Sequence, residues 1–138
     1  MNTKTIVTGL IGGVVYFFLG WLLYGILLES TFESLGGSAQ GVSRGEELVM
    51  WALILGHVFM GIAMAYILVN WAKVSTVQGG AVAGATVAFL YSLGMDLTFY
   101  ATSNIMQLGG VLLDVAVFTV TSAIAGAVMG WWLGRASN

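Results

Sequence analysis

Three side chains can titrate in places where charge is costly. Asp96, Asp114 and His57 each lie inside a long apolar run. The stretch YSLGMDLTFYATSN, residues 91–104, carries Asp96 with no neighbouring positive charge. Two carboxylates brought together in a low-dielectric site repel, so one of them is expected to keep a proton near neutral pH. Histidine titrates in the physiological range, so His57 would extend a relay beneath the acids. Tyr100 and Asn104 follow Asp96 along the same helical ridge and complete a candidate site for a proton, a cation or a small polar ligand. Ionisable residues within membrane spans point to function by default.

A structural reading competes with this one. Thr98, Tyr100, Thr102, Ser103 and Asn104 are close enough in sequence to satisfy Asp96. Asp114 would sit in the first turns of its helix, where the positive dipole end favours it, and Thr119 or Thr121 would serve helix packing nearby. Buried polar groups in membranes often act as packing glue. A metal site of His57, Asp96 and Asp114 has suitable ligand types. It requires three helices to converge and a depth gap of about 6 Å, from helical rise, to close. Met50, Met60, Met64, Met95 and Met106 invite copper(I) through their thioethers, although methionine commonly fills irregular apolar gaps. No metal or cofactor is therefore expected.

Covalent chemistry has less support. The sequence has no HExxH, no phosphate-cradling loop and no serine–histidine pair at helical spacing. Gly12-Gly13, Gly36-Gly37 and Gly109-Gly110 read as packing or turn glycines, not dinucleotide fingerprints. A non-enzymatic protein is expected.

Composition limits what can position these groups. The chain of 138 residues is long enough for one domain, is 59% hydrophobic and only 7% charged, and has a mean hydropathy of +0.96. Soluble domains carry about 25% charged residues, so lipid must solvate most of this chain. A net charge of −2 offers no basic stripe for nucleic acid. Without cysteine there are no disulfides and no thiolate sites, and without proline the helices are expected to be straight.

Crossing about 30 Å of hydrocarbon takes roughly 20 apolar residues. Four such runs, 5–28, 48–71, 80–101 and 109–133, predict an all-α integral membrane bundle of four transmembrane helices within a single domain, 1–138. The first run exceeds the core of a cleaved signal peptide, usually about 7–15 residues, and is expected to be retained. Lys4, Lys73 and Arg135 fall on one side and only Arg44 on the other. Positive charge stays cytoplasmic, which places both termini inside. Trp21, Tyr24, Trp51 and Tyr100 then mark the outer boundary, and Trp71, Trp131 and Trp132 the inner one. The long external loop, 29–47, ends with Ser43 and Glu46 at capping-box spacing, as though opening the second helix. An acidic mouth at Glu46 and Glu47 is the functional alternative.

Membrane helices associate through small residues. The fourth run has Ser122, Gly126, Gly130 and Gly134 at four-residue intervals, the third has Gly80, Gly84, Ala88 and Ser92, and the first has Gly9, Gly13 and Gly20. Extended outward, the two later ridges reach Asp114 and Asp96, both about 7–8 Å below the outer boundary by helical rise. His57 lies deeper, at about 13 Å on the same scale. The ridges predict a packed bundle and a homo-oligomer or membrane-complex subunit, with lipid as the surrounding partner.

FFLGWLLYGILL in the first run, GHVFMGIAMAYIL in the second and VFTVTSAIAGAVMGWWLG in the fourth resemble the small four-span bacterial membrane proteins of domain of unknown function 1761. Gly20, Trp21 and Tyr24 match that family's glycine, tryptophan and tyrosine near the end of the first span, before a longer external loop. Gly25 stands where the family has proline. The resemblance implies a four-span fold in a bacterial cytoplasmic (inner) membrane. It implies no activity.

Overall fold

The computed structural model describes residues 2–135, which form five helices. Four are long and apolar enough to cross a membrane: α1 (Thr3–Leu27), α3 (Met50–Trp71), α4 (Val77–Thr102) and α5 (Leu108–Arg135). Their bounds lie within a few residues of those read from the apolar runs. The short α2 (Glu29–Ser34) occupies the start of what was expected to be plain loop.

Local signals set the helix ends. Asn2 caps α1, its Oδ1 accepting from the Thr5 amide at 2.9 Å and the Thr5 hydroxyl at 2.8 Å. Thr76 caps α4 by accepting from the Gly79 amide at 3.0 Å. At the end of α3 the Val74 amide donates to Leu68 O at 2.9 Å across Lys73, whose φ is +51°. This seven-to-one closure ends the helix at a left-handed residue, the conformation usually assigned to glycine.

Two departures from expectation concern helix regularity and capping. The last turns of α1 (Leu23–Leu27) and of α3 (Ile67–Trp71) are π-helical. A proline-free sequence therefore still departs from regular α-helix, by widening its last turns. The Ser43–Glu46 capping box does not form. Helix α3 starts only at Met50 without a side-chain cap, and the Ser43 hydroxyl accepts instead from the Gly45 amide at 3.2 Å. Local turn bonding wins because Gly45, at φ +57°, lets the chain turn before a helix can begin.

Helix α5 is the central element. It packs along α4 on one side and against α1 on another, while α1 also packs along α3. The common core gathers Tyr16, Met64, Ala65, Leu68, Ala125, Met129 and Leu133. Within it the Tyr16 hydroxyl bonds the Ser122 hydroxyl at 2.9 Å, joining α1 to α5.

The α4–α5 seam is the predicted pair of small-residue ridges. Gly80, Gly84, Ala88 and Ser92 are buried, as are Ser122, Gly126 and Gly130. A Cβ on Gly80 would collide with Gly126 O, one on Gly126 with Gly80 O, and one on Gly130 with Thr76 O. At Gly134 an added Cβ would lie 2.6 Å from Ser75 O. The two backbones touch directly, so dispersion contacts replace the side chains that lipid would otherwise match. Both ridges are filled within one chain. An oligomer must use other faces.

Candidate functional site

The seam delivers the two acids to one place. Asp96 lies six residues before the end of α4 at Thr102, and Asp114 six after the start of α5 at Leu108. The helices are antiparallel neighbours, so equal offsets give equal depth, and the two carboxyl groups meet side chain to side chain. Tyr24 approaches them from α1, near enough for both acids to act on it.

Tyr24 reaches this position for two local reasons. It lies in the π-helical turn Leu23–Leu27, which rotates the chain relative to a regular helix. Helix α2 then folds back, and Phe32 stacks on the Tyr24 ring at 5.1 Å with 27° between planes. Tyr24 is therefore half-buried and turned toward the acids.

Three of the hydroxyls proposed to satisfy Asp96 are committed elsewhere. Thr98 donates to Gly94 O at 2.8 Å, Thr102 to Thr98 O at 2.8 Å and Ser103 to Phe99 O at 2.7 Å. Near Asp114, Thr119 donates to Val115 O at 2.6 Å and Thr121 to Val117 O at 2.8 Å. Asp96 Oδ2 is buried and has no hydrogen-bond partner. An ionised carboxylate can only accept, so two of them face to face lack a donor. A proton on one, or an N–H or cation from outside, completes the arrangement.

Beside Asp96 is a half-open cavity of about 210 Å³, walled by Phe99, Tyr100, Ile105, Met106 and Val111. The connection after α2 shapes this wall. Gly37 donates to Ile105 O at 2.9 Å, Ala39 to Asn104 O at 3.0 Å and Gln107 to Leu35 O at 2.9 Å. The Gln107 side chain adds a bond to Gly36 O at 2.9 Å. Gly37 is required here, because a Cβ would strike Asn104 O.

The remaining sequence candidates separate. Tyr100 lines the cavity, whereas Asn104 is exposed and contributes its backbone carbonyl to the loop pairing. His57 belongs to the α1–α3 seam. Its Nδ1 lies 2.7 Å from Leu53 O, its ring packs edge-on to Phe17 at 5.6 Å, and a Cβ on Gly20 would lie 3.0 Å from its Nε2. Its hydrogen bond goes to Leu53 O, not to either acid. The three-ligand set of His57, Asp96 and Asp114 does not form: among the described residues no three His, Asp or Glu side chains gather closely enough to hold a metal. The methionines are dispersed as well, with Met64 in the core, Met106 at the cavity, and Met50 and Met95 exposed.

The chain matches no family model, no curated protein and no solved structure. Its own geometry must carry the functional reading.

Tyr24 was missed by the sequence reading. It lies four residues beyond Gly20 on the ridge of the first run, so extending that ridge, as was done for the other two, would have found it.

Proposed function

We propose that this chain is a multi-pass protein of a bacterial cytoplasmic membrane, with both termini inside, that binds a cation in exchange for a proton at the Asp96–Asp114 pair. It performs no covalent chemistry. Four apolar helices support membrane insertion, and Lys4, Lys73 and Arg135 opposite Arg44 support the orientation. The resemblance to family 1761 supports the bacterial setting. The observation that carries the reading is the buried, unpartnered Oδ2 of Asp96, a carboxyl that meets Asp114 and lines the cavity. A second copy or another membrane subunit would dock on faces away from the α4–α5 seam, because that seam is filled internally.

The test uses purified full-length protein in weakly buffered detergent with a pH-sensitive dye. Adding sodium, calcium or alkylammonium chloride in turn should release protons from the wild type with at least one salt, and none from Asp96→Asn. Equal traces from both proteins with every salt would sink the proposal.

A second reading makes the chain an accessory subunit whose acids only join helices. Their position on the continuation of the α4–α5 seam favours it. It predicts unchanged proton release in Asp96→Asn together with altered thermal stability or assembly.

A further inference from the structure

We infer that the cation exchanged for a proton is sodium or lithium, held between the Ser92 hydroxyl, Asp96 and Asp114. The inference rests on the cation-binding reading and adds to it a third ligand and an ion class. Three observations carry it.

The first is Ser92 itself. It is 5% exposed, and its Oγ is buried without a hydrogen-bond partner. Hydroxyls in these spans ordinarily donate to the carbonyl four residues earlier, as Thr8, Thr86, Thr98, Thr119 and Thr121 do. Ser92 has Ala88 O at that offset and does not use it. Leaving a buried hydroxyl unmet is costly, so one turned away from its own helix calls for a ligand.

The second is where Ser92 stands. In the α4–α5 seam Gly126 lies against both Gly80 and Gly84: a Cβ on it would strike Gly80 O and come 3.3 Å from Gly84 Cα. Moving twelve residues toward the loop end on each helix carries this trio onto Ser92, Asp96 and Asp114. The register holds that far, because Asp96 does meet Asp114. Asp114 therefore faces Ser92 as well as Asp96, and the unpartnered hydroxyl opens on the acid pair.

The third is spacing. Four residues apart on one helix, Ser92 and Asp96 have Cβ atoms about 5–6 Å apart. Each carries a buried oxygen without a partner, so these two oxygens do not bond each other. Oxygens that converge on one acid without bonding each other suit a shared ion, about 2.3–2.6 Å from each if it is calcium-sized. Sodium has nearly that radius. Calcium itself takes about 6–8 oxygens and magnesium keeps several waters. One hydroxyl and two carboxylates offer at most five oxygens, and the unpartnered ones are closed to water. A small singly charged ion is held by fewer. Asp96 is half-buried and lines the cavity, so its carboxyl turning outward gives the ion a way in.

The experiment is a thermal-shift titration of the purified full chain in mildly alkaline detergent, with choline chloride holding the ionic strength. A ligand that binds only the folded state raises the melting midpoint. Sodium or lithium chloride should raise the wild-type midpoint saturably, and more than potassium or calcium chloride does. Asp96→Asn, itself folded by circular dichroism, should not respond. Ser92→Ala should melt in choline no lower than the wild type, because it removes a buried hydroxyl that has no partner in the chain. Its sodium response should move to about tenfold higher concentration or more, the size of one lost bond to a charge. An unchanged sodium response in Ser92→Ala, as when water occupies the two oxygens, would overturn the inference and leave the cation reading standing. Melting of Ser92→Ala well below the wild type in choline would overturn it too, since the hydroxyl would then be partnered within the chain. Potassium or calcium giving the larger Asp96-dependent shift would overturn the ion class, again with the cation reading intact. If no salt distinguishes wild type from Asp96→Asn, both fall together.

Discussion

Asp96 and Asp114 leave different helices at equal distances from the loop end and meet across the α4–α5 seam, with Tyr24 nearby and no donor on Asp96 Oδ2. An amide at either acid would supply the donor this arrangement lacks. Asp96→Asn and Asp114→Asn are therefore expected to melt no lower than the wild type, while binding of a cationic probe weakens at least about tenfold, the size of a lost charge-assisted hydrogen bond of roughly 1.5–3 kcal/mol. Melting and probe binding in the same detergent preparation check both halves. A variant that melts much lower while still binding would show that the acids hold helices together instead.

Binding at this pair should weaken as pH falls. Proton and cation compete for the same oxygens, so acidification stabilises the unbound form and the apparent affinity declines. If one proton leaves for each cation bound, the decline reaches about tenfold per pH unit where that proton is fully bound. Titrating the probe at several pH values gives the slope. A slope of zero would mean that no proton is displaced.

Gly126 and Gly94 are both helical glycines with opposite expectations. A Cβ on Gly126 would run into Gly80 O, backbone against backbone, while one on Gly94 would meet nothing within 4 Å. Gly126→Ala should destabilise by about 1–3 kcal/mol, as overpacking does. Gly94→Ala should be neutral or stabilising by up to about 1 kcal/mol through helix propensity. Reversible unfolding in mixed micelles separates the two.

The sequence made the spans and the α4–α5 seam legible because both depend on local repetition. Twenty-odd apolar residues and a glycine every fourth position leave few alternatives, and the matched depth of Asp96 and Asp114 followed from them. Other features depend on contacts far apart in the chain. Tyr24 turns inward through a π-helical turn and a stacking partner, Phe32, on a separate helix. The cavity wall at Ile105 and Met106 is set by pairing with Leu35, Gly36 and Gly37. His57 had ligand chemistry and plausible depth, yet close packing of Gly9 and Gly13 against α3 holds it on the opposite seam.

The Tyr16–Ser122 bond, 2.9 Å long and buried, ties α1 to the central helix α5. Tyr16→Phe keeps the ring against Phe118, 6.2 Å between centroids, and removes only the hydroxyl. Interhelical hydrogen bonds in membranes average about 0.6 kcal/mol and reach about 1.7. A loss in that range is expected in the unfolding free energy, with the cation response at Asp96 unchanged, because Tyr16 lies outside the cavity at the loop end.

Lys73 closes α3 in the left-handed region at φ +51°, the position where helices usually place glycine. A non-glycine residue held there costs about 1–2 kcal/mol. Glycine would remove that cost but lose more freedom on folding, by roughly 0.5–1 kcal/mol. The difference leaves Lys73→Gly stabilising by about 0–1.5 kcal/mol. The substitution also removes one of the three cations assigned to the inner side, so stability and orientation can be read from the same variant. Unfolding in micelles should show the gain. Protease accessibility of the 29–49 connection in oriented membrane vesicles should stay external if Lys4 and Arg135 suffice to hold the topology.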